Sequence, residues 1–321
     1  MQGIIIEKIA NLYRIKPIQL SFLEKETIED ESNNRENCSK KGSLLRAIYE
    51  ATARGRFKKE EISPVVGDLV EFEVTDKEKQ KAVIDKILDR KIYVKRPKLA
   101  NITQIVLVVS SKDPKPDLLM LDKQLAFAEF LRIKCIIVLN KTDLDEKAEL
   151  KEIREIYEKI GYKVIETDAK DKEGIDVLKK ELKGNINTFS GNSGVGKSTL
   201  INGIFSKNMT LEGEISQRNK RGKNTTTSIK LYQVDEDTYV ADTPGFSTFS
   251  IEEIASKDLA NYFVEFKDKI LDCEFVGCTH IKEENCGVKK AIQKGEISLA
   301  RYERFCKIYQ QLKQREERKK W

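Results

Sequence analysis

A chain of 321 residues is long enough for two or three domains of the usual roughly 100 to 200 residues each. Charged residues make up 35% against 39% hydrophobic, a composition far from that of a disordered protein, and no stretch approaches the roughly 18 apolar residues of a membrane span. The net charge of +6 and pI near 8.7 permit an anionic partner without requiring one, since 59 basic residues face 53 acidic ones.

The opening MQGIIIEKIANLY has no basic segment followed by a long apolar one, which predicts a cytoplasmic protein without membrane contact. Residues 1–97 carry short β-type runs at Gly3–Ile6, Leu69–Val74, Ala82–Ile87 and Lys91–Val94, punctuated by polar residues, Gly and Pro, and predict a small β-barrel. Between them Glu24–Lys41 is too hydrophilic to pack and reads as a long mobile loop.

From Leu99 the pattern changes. Ile102–Ser111 is a nearly continuous β-branched run, Leu118–Leu131 has helical period, and CIIVLN is a buried strand ending at Asn140. A helix over Asp145–Ile160, a strand at Lys163–Glu166, a helix at Gly174–Leu182, the strand INTFS and a helix opening at Lys197 follow. Strands at Ser228–Val234 and Thr238–Ala241 complete an α/β pattern with a mostly parallel sheet of about six strands. Beyond Phe246 the sequence is helical and cysteine-bearing, and it ends in the basic run QQLKQREERKKW.

Gly191–Ser198, GNSGVGKS, fits the phosphate-loop pattern GxxxxGK[ST], in which glycines let backbone N–H groups face phosphates at a helix N-terminus. The nucleotide contacts predicted there are Gly191, Asn192, Ser193, Gly194, Val195, Gly196, Lys197, Ser198 and Thr199. Lys197 would hold the β and γ phosphates, and Ser198 would offer its hydroxyl to Mg²⁺, with Asp242 of VADTPGF holding the ion through water. NKTD, from Asn140 through Lys141 and Thr142 to Asp143, supplies what reading guanine needs. The Asp143 carboxylate accepts from the two N–H donors of the Watson–Crick edge, Asn140 reaches the acceptor edge, and the Lys141 stem covers the ring. TDAKD at Thr167–Asp171 would bring the Ala169 N–H to the guanine carbonyl.

In most GTPases the phosphate loop precedes NKxD; here NKxD comes first, so the sheet reads as circularly permuted. The γ-phosphate-sensing Asp242–Phe246 then runs straight into the cysteine-bearing region. There Cys273, Cys278, His280 and Cys286 form CxxxxCxHxxxxxC around the sole histidine, a donor set for a closed, structural tetrahedral Zn²⁺ site. Cys135 reads as a core strand residue, while Cys38 and Cys306 lie outside the cluster. Basic stretches at Arg54–Lys59, Lys91–Lys98 and Lys313–Lys320 serve equally as RNA contacts or as solvated surface.

With its permuted motifs, ARGRF and SPVVGDLVEFE in the barrel, RPKLANITQIVLVVS, ISQRNKRGKNTTT and the cysteine pattern, the chain resembles the bacterial ribosome small subunit-dependent GTPase A (RsgA) family over nearly its whole length. The resemblance implies an N-terminal OB-fold barrel (1–97), a central circularly permuted α/β P-loop GTPase domain (98–255) and a C-terminal, mainly helical zinc domain (256–321). It also implies GTP hydrolysis stimulated by the small (30S) ribosomal subunit late in that subunit's maturation. The partners would be that subunit, its rRNA and other assembly factors, with the protein itself a monomer. One threonine of Thr225–Thr227, with Thr226 the catalytic candidate, would meet Mg²⁺ and the γ-phosphate. The family's usual histidine before that run is Asn224 here, and Phe246 occupies the place of the water-orienting glutamine of many GTPases, which predicts slow intrinsic turnover.

Overall fold

The structure, a computed structural model, describes residues 1–18, 47–55, 57, 62–95, 97–145, 149–205, 229–242 and 251–318. Glu24–Lys41, Cys38, Asn224, Thr225–Thr227 and Phe246 lie outside these residues. In chain order come β1 (Gln2–Ile9), β2 (Leu12–Pro17), β3 (Tyr49–Ala53), β4 (Leu69–Asp76), β5 (Lys81–Ile87), β6 (Tyr93–Lys95), β7 (Lys98–Ala100) and β8 (Gln104–Ser110). Then α1 (Leu118–Leu131), β9 (Lys134–Asn140), α2 (Glu149–Lys159), β10 (Lys163–Thr167), α3 (Ile175–Leu182) and β11 (Ile186–Ser190) alternate. The remainder is α4 (Lys197–Phe205), β12 (Lys230–Asp235), β13 (Thr238–Asp242), a run of short 3-10 turns from Ile251 to Asp272, α5 (Gly287–Gln293) and α6 (Leu299–Arg318).

Two compact units result. The first takes Met1–Thr103, Leu182–Thr188 and the described part of Arg221–Gly245. Strands β1, β2, β3, β5 and β4 pair in that order, and β4 returns to β1, which closes a five-stranded barrel. Period-2 alternation drives it: in β2, Tyr13, Ile15 and Pro17 point inward while Arg14 and Lys16 face outward. Ile5, Ile15, Tyr49, Phe72 and Ile84 fill the interior, and the Tyr49 and Phe72 rings lie 5.6 Å apart. β2 and β3, which the sequence reading did not single out, are short half-polar strands whose only signal is this alternation. The buried Asp68 carboxylate accepts from the Val65 N–H at 2.7 Å and from Arg90 Nε at 2.7 Å, so its charge is satisfied. In the same unit β12 pairs antiparallel with β1 at Lys230 and Glu7, β13 pairs antiparallel with β12, and β11 runs parallel to β13.

The second unit takes Gln104–Glu181, the described part of Phe189–Lys220, and Phe246–Trp321 where described. β8, β9 and β10 are parallel, in registers that set Ser110 beside Asn140 and Asn140 beside Thr167. All seven residues of β8 are buried, the signature of a central parallel strand covered on both faces. Helix α1 spans the expected residues and buries residues on opposite sides, Asp122 and Gln124 among them. α2 is described from Glu149, and the Asp145 carboxylate accepts from the N–H groups of Glu149 at 3.0 Å and Leu150 at 3.2 Å. The C-terminal part forms its own core around Phe263, Phe266, Phe305 and Ile308, into which α1 places Ala126.

Candidate functional site

β11 ends in the phosphate loop, and α4 begins at Lys197. Gly191, Gly194 and Gly196 all have positive φ, at 144°, 85° and 99°. At Gly196 the need for glycine is twofold, because an added Cβ would also lie 2.2 Å from Asn140 Nδ2. The Lys197 ammonium curls over the loop and donates to the carbonyls of Gly191 at 2.7 Å and Asn192 at 2.8 Å. Burial pushes its pKa below the ordinary lysine value. A polyanion at this loop would reverse that shift and draw the ammonium outward.

The parallel register brings the guanine motif to the same place. Asn140 is almost wholly buried, and its side chain makes three hydrogen bonds. Nδ2 donates to the Val195 carbonyl at 2.8 Å, while Oδ1 accepts from Thr167 Oγ1 at 3.0 Å and the Ala169 N–H at 3.2 Å. One amide thus ties the NKTD strand end to the phosphate loop and to the TDAKD loop. The sequence reading put these residues in one site but assigned Asn140 and the Ala169 N–H to the base; here they bond each other. Lys141, at φ 63°, donates to the Asp113 carbonyl, while Ser111 Oγ donates to the Lys141 carbonyl at 2.5 Å. Asn140, Lys141, Asp143, Ala169, Gly196 and Thr199 all line one cleft. The TDAKD loop owes its shape to Asp168, whose Oδ1 accepts from the N–H groups of Lys170 at 2.8 Å and Asp171 at 3.3 Å.

Asn192 Nδ2 donates to Asp117 Oδ2 at 3.2 Å, a contact that no motif announced. Ser198 and Thr199 stand in the first turn of α4, and Asp242 closes β13 in the first unit. Thr226, the remaining candidate, falls outside the described residues. Of the basic stretches, exposed Arg54 pairs with Glu73 at 3.3 Å and with Asp85, and Arg315 near the end of α6 pairs with Glu252.

The cysteine cluster assembles as its spacing suggests. One ligand atom each from Cys273, Cys278, His280 and Cys286 lies within 4.8 Å of all the others. His280 Nδ1 is 3.3 Å from Cys286 Sγ and 3.6 Å from Cys273 Sγ, and those two sulfurs are 4.0 Å apart. Zn–S bonds of about 2.3 Å in a tetrahedron require sulfurs about 3.8 Å apart, so the donor set fits this ion. The surroundings orient the ligands: the His280 carbonyl accepts from Tyr302 Oη at 2.7 Å, and the Gly287 N–H donates to Cys273 Sγ at 3.3 Å. Gly287 has no room for a side chain, since a Cβ would lie 2.1 Å from the Lys269 carbonyl oxygen. The intervening loop is knotted by the Glu283 carboxylate, which accepts from Thr279 Oγ1 at 2.8 Å and from the N–H groups of Thr279, Ile281 and Lys282. Burial opposes ionisation of Glu283, but these donors outweigh it and hold the pKa down to about 2.

A glycine-wrapped phosphate loop locked to an NKTD strand end that precedes it in the chain defines a circularly permuted P-loop GTPase. The sequence profile of the RsgA GTPase matches residues 87–252, and that of the RsgA N-terminal domain matches residues 45–84. The chain belongs to the RsgA family of GTPases and is a GTP hydrolase. The small ribosomal subunit biogenesis GTPase RsgA of Alkaliphilus metalliredigens is 40% identical over 266 residues, covering 83% of this chain and 91% of the relative. The protein of the same name from Clostridium botulinum is 42% identical over 274 residues, covering 85% and 92%. The crystal structure of YjeQ from Thermotoga maritima matches with a TM-score of 0.76 at 34% identity, covering 97% of this chain and 98% of that one. That of YloQ, described as a circularly permuted GTPase, matches at 0.74 with 27% identity, covering 98% and 95%.

Proposed function

We propose that this GTPase binds the small ribosomal subunit through its rRNA, works beside other assembly factors late in that subunit's maturation, and hydrolyses GTP to GDP and phosphate under the subunit's stimulation. It acts as a monomer in the cytoplasm. The observation that carries the reading is the Asn140 junction, which joins base-reading and phosphate-reading loops into one nucleotide site in a chain whose relatives bear that biogenesis name.

In this reading Asp143 selects guanine, and Lys141, Thr142 and Ala169 complete the base pocket. Residues Gly191–Thr199 cradle the phosphates with backbone N–H groups. Lys197 leaves its two carbonyl acceptors for the β and γ oxygens and offsets the negative charge that grows there in the transition state. Ser198, Asp242 and Thr226 hold Mg²⁺, which neutralises phosphate charge when bound. Zn²⁺ at Cys273, Cys278, His280 and Cys286 is structural, because the four donors leave no open position. Since Phe246 cannot orient water, the group that does so comes with the ribosome or a remodelled loop, and intrinsic turnover is slow.

Steady-state GTP hydrolysis with and without purified small subunits tests this. Turnover rises when subunits are added, and Lys197→Ala abolishes it in both conditions. A rapid rate indifferent to subunits would overturn the stimulation, and an active Lys197→Ala would overturn the site.

A further inference from the structure

The most heavily built feature outside the nucleotide site is a buried charge cluster that hydrolysis does not use. Arg301 of α6 and Asp122 of α1 are each almost wholly buried and paired with each other. Arg301 also pairs with Glu265, and Arg304 pairs with the second Asp122 oxygen. Tyr157 of α2 donates its hydroxyl to Asp122 Oδ1 at 2.6 Å, and the Arg301 guanidinium lies over the Phe263 ring at 4.9 Å. Burial alone would favour a neutral Arg301, but Asp122 and Glu265 outweigh it and keep the guanidinium charged. A helix needs no such cluster to pack. Apolar residues at these positions would commonly serve stability as well or better, which makes a role in fixing geometry worth testing.

The other face of α1 addresses the phosphate loop. Asp117, its N-cap, accepts from the Met120 N–H at 2.9 Å through Oδ1 and from Asn192 Nδ2 at 3.2 Å through Oδ2. Two turns on, Gln124 Nε2 donates to Ser190 Oγ at 2.9 Å, at the residue just before the loop. Positions 117 and 124 fall on one side of a helix, and 122 lies roughly 140° round from 117 at about 100° per residue. Leu119, Ala126 and Phe130 extend the Asp122 side into the C-terminal core.

We infer that α1 is a strut through which the C-terminal, cysteine-bearing segment sets the position of the phosphate loop: Asp122, Arg301 and Arg304 are positioning residues that act on nucleotide through Asp117 and Asn192. The inference rests on Gly191–Ser198 being the phosphate loop. It adds a path from that segment to the nucleotide which does not pass through the chain between β13 and Ile251.

The test is binding of a fluorescent GDP to the full-length protein, with Asp117→Ser, Arg301→Met and the double variant. Serine preserves the cap but is too short to reach Asn192. Each single change weakens GDP about fivefold or more, and the KM for GTP rises while kcat holds. The double variant binds no more weakly than the weaker single, because both changes cut one path. Affinity within about twofold of the parent for a folded Arg301→Met, or single effects that multiply in the double, would overturn the strut. If Arg301→Met does not fold, Arg304→Met decides by the same criteria, since Arg301 then still neutralises Asp122. A Lys197→Ala protein that binds GDP like the parent would instead reject the phosphate-loop reading itself.

Discussion

Asn140 and Asp143 belong to one four-residue motif, yet they do different physical work. The Asn140 amide spends its bonds inside the protein, on the Val195 carbonyl, Thr167 Oγ1 and the Ala169 N–H. Asn140→Ala leaves these groups unpaired in a buried place, at about 1 to 3 kcal/mol for each one that water cannot reach. The expected result is a lower Tm together with weaker binding of every nucleotide, measured by thermal unfolding with and without GDP. Asp143 is exposed, and in the proposed function its carboxylate recognises the base. Asp143→Asn replaces an acceptor of two N–H groups by an amide, so GTP hydrolysis falls while XTP, whose base offers a carbonyl there, becomes the better substrate. Competition between the two triphosphates reads this directly. The motif residues were legible because their chemistry fixes their types. The three-way role of Asn140 was not, since it depends on a register that sets Ser110, Asn140 and Thr167 side by side.

At the scale of elements, the long periodic segments were easiest to read. α1 occupies Leu118–Leu131 as its apolar residues require, and β9 ends at Asn140 where the run of buried aliphatics stops. What failed to show were β2 and β3, whose half-polar faces look like loop until a partner strand covers one side. Asp117 was equally silent: an N-cap aspartate is ordinary, and its second bond reaches Asn192 across 75 positions. The cysteine spacing gave the four donors that cluster but not the scaffold around them, which includes Gly287, Glu283 and Tyr302. Gly287→Ala forces a Cβ against the Lys269 carbonyl and shifts the turn that presents Cys286 and the N–H bonded to Cys273. The purified variant retains less than the parent's equivalent of zinc, measured by metal analysis after brief exposure to a chelator. A full complement of slowly released zinc would show that the turn yields without cost.

For the whole molecule, the permuted order makes the segment after β13 continuous with the cysteine-bearing region, whose first described residue is Ile251. Hydrogen exchange over Ile251–Arg318 is expected to differ between GDP and a GTP analogue. Identical protection in the two states would mean that this region does not sense the γ-phosphate.

The hydrogen-bonded join between β1 and β12 bears on how the protein can be divided. Removing the first 97 residues would strip β12 of its neighbour at Lys230, the partner of Glu7, and leave that edge open to other chains. Such a shortened protein should aggregate even with every nucleotide motif intact, and light scattering would reveal it. The barrel is therefore more than a detachable appendage: it joins the sheet to which β13 and Asp242 belong, so inheritance, truncation or grafting has to treat the two as one piece.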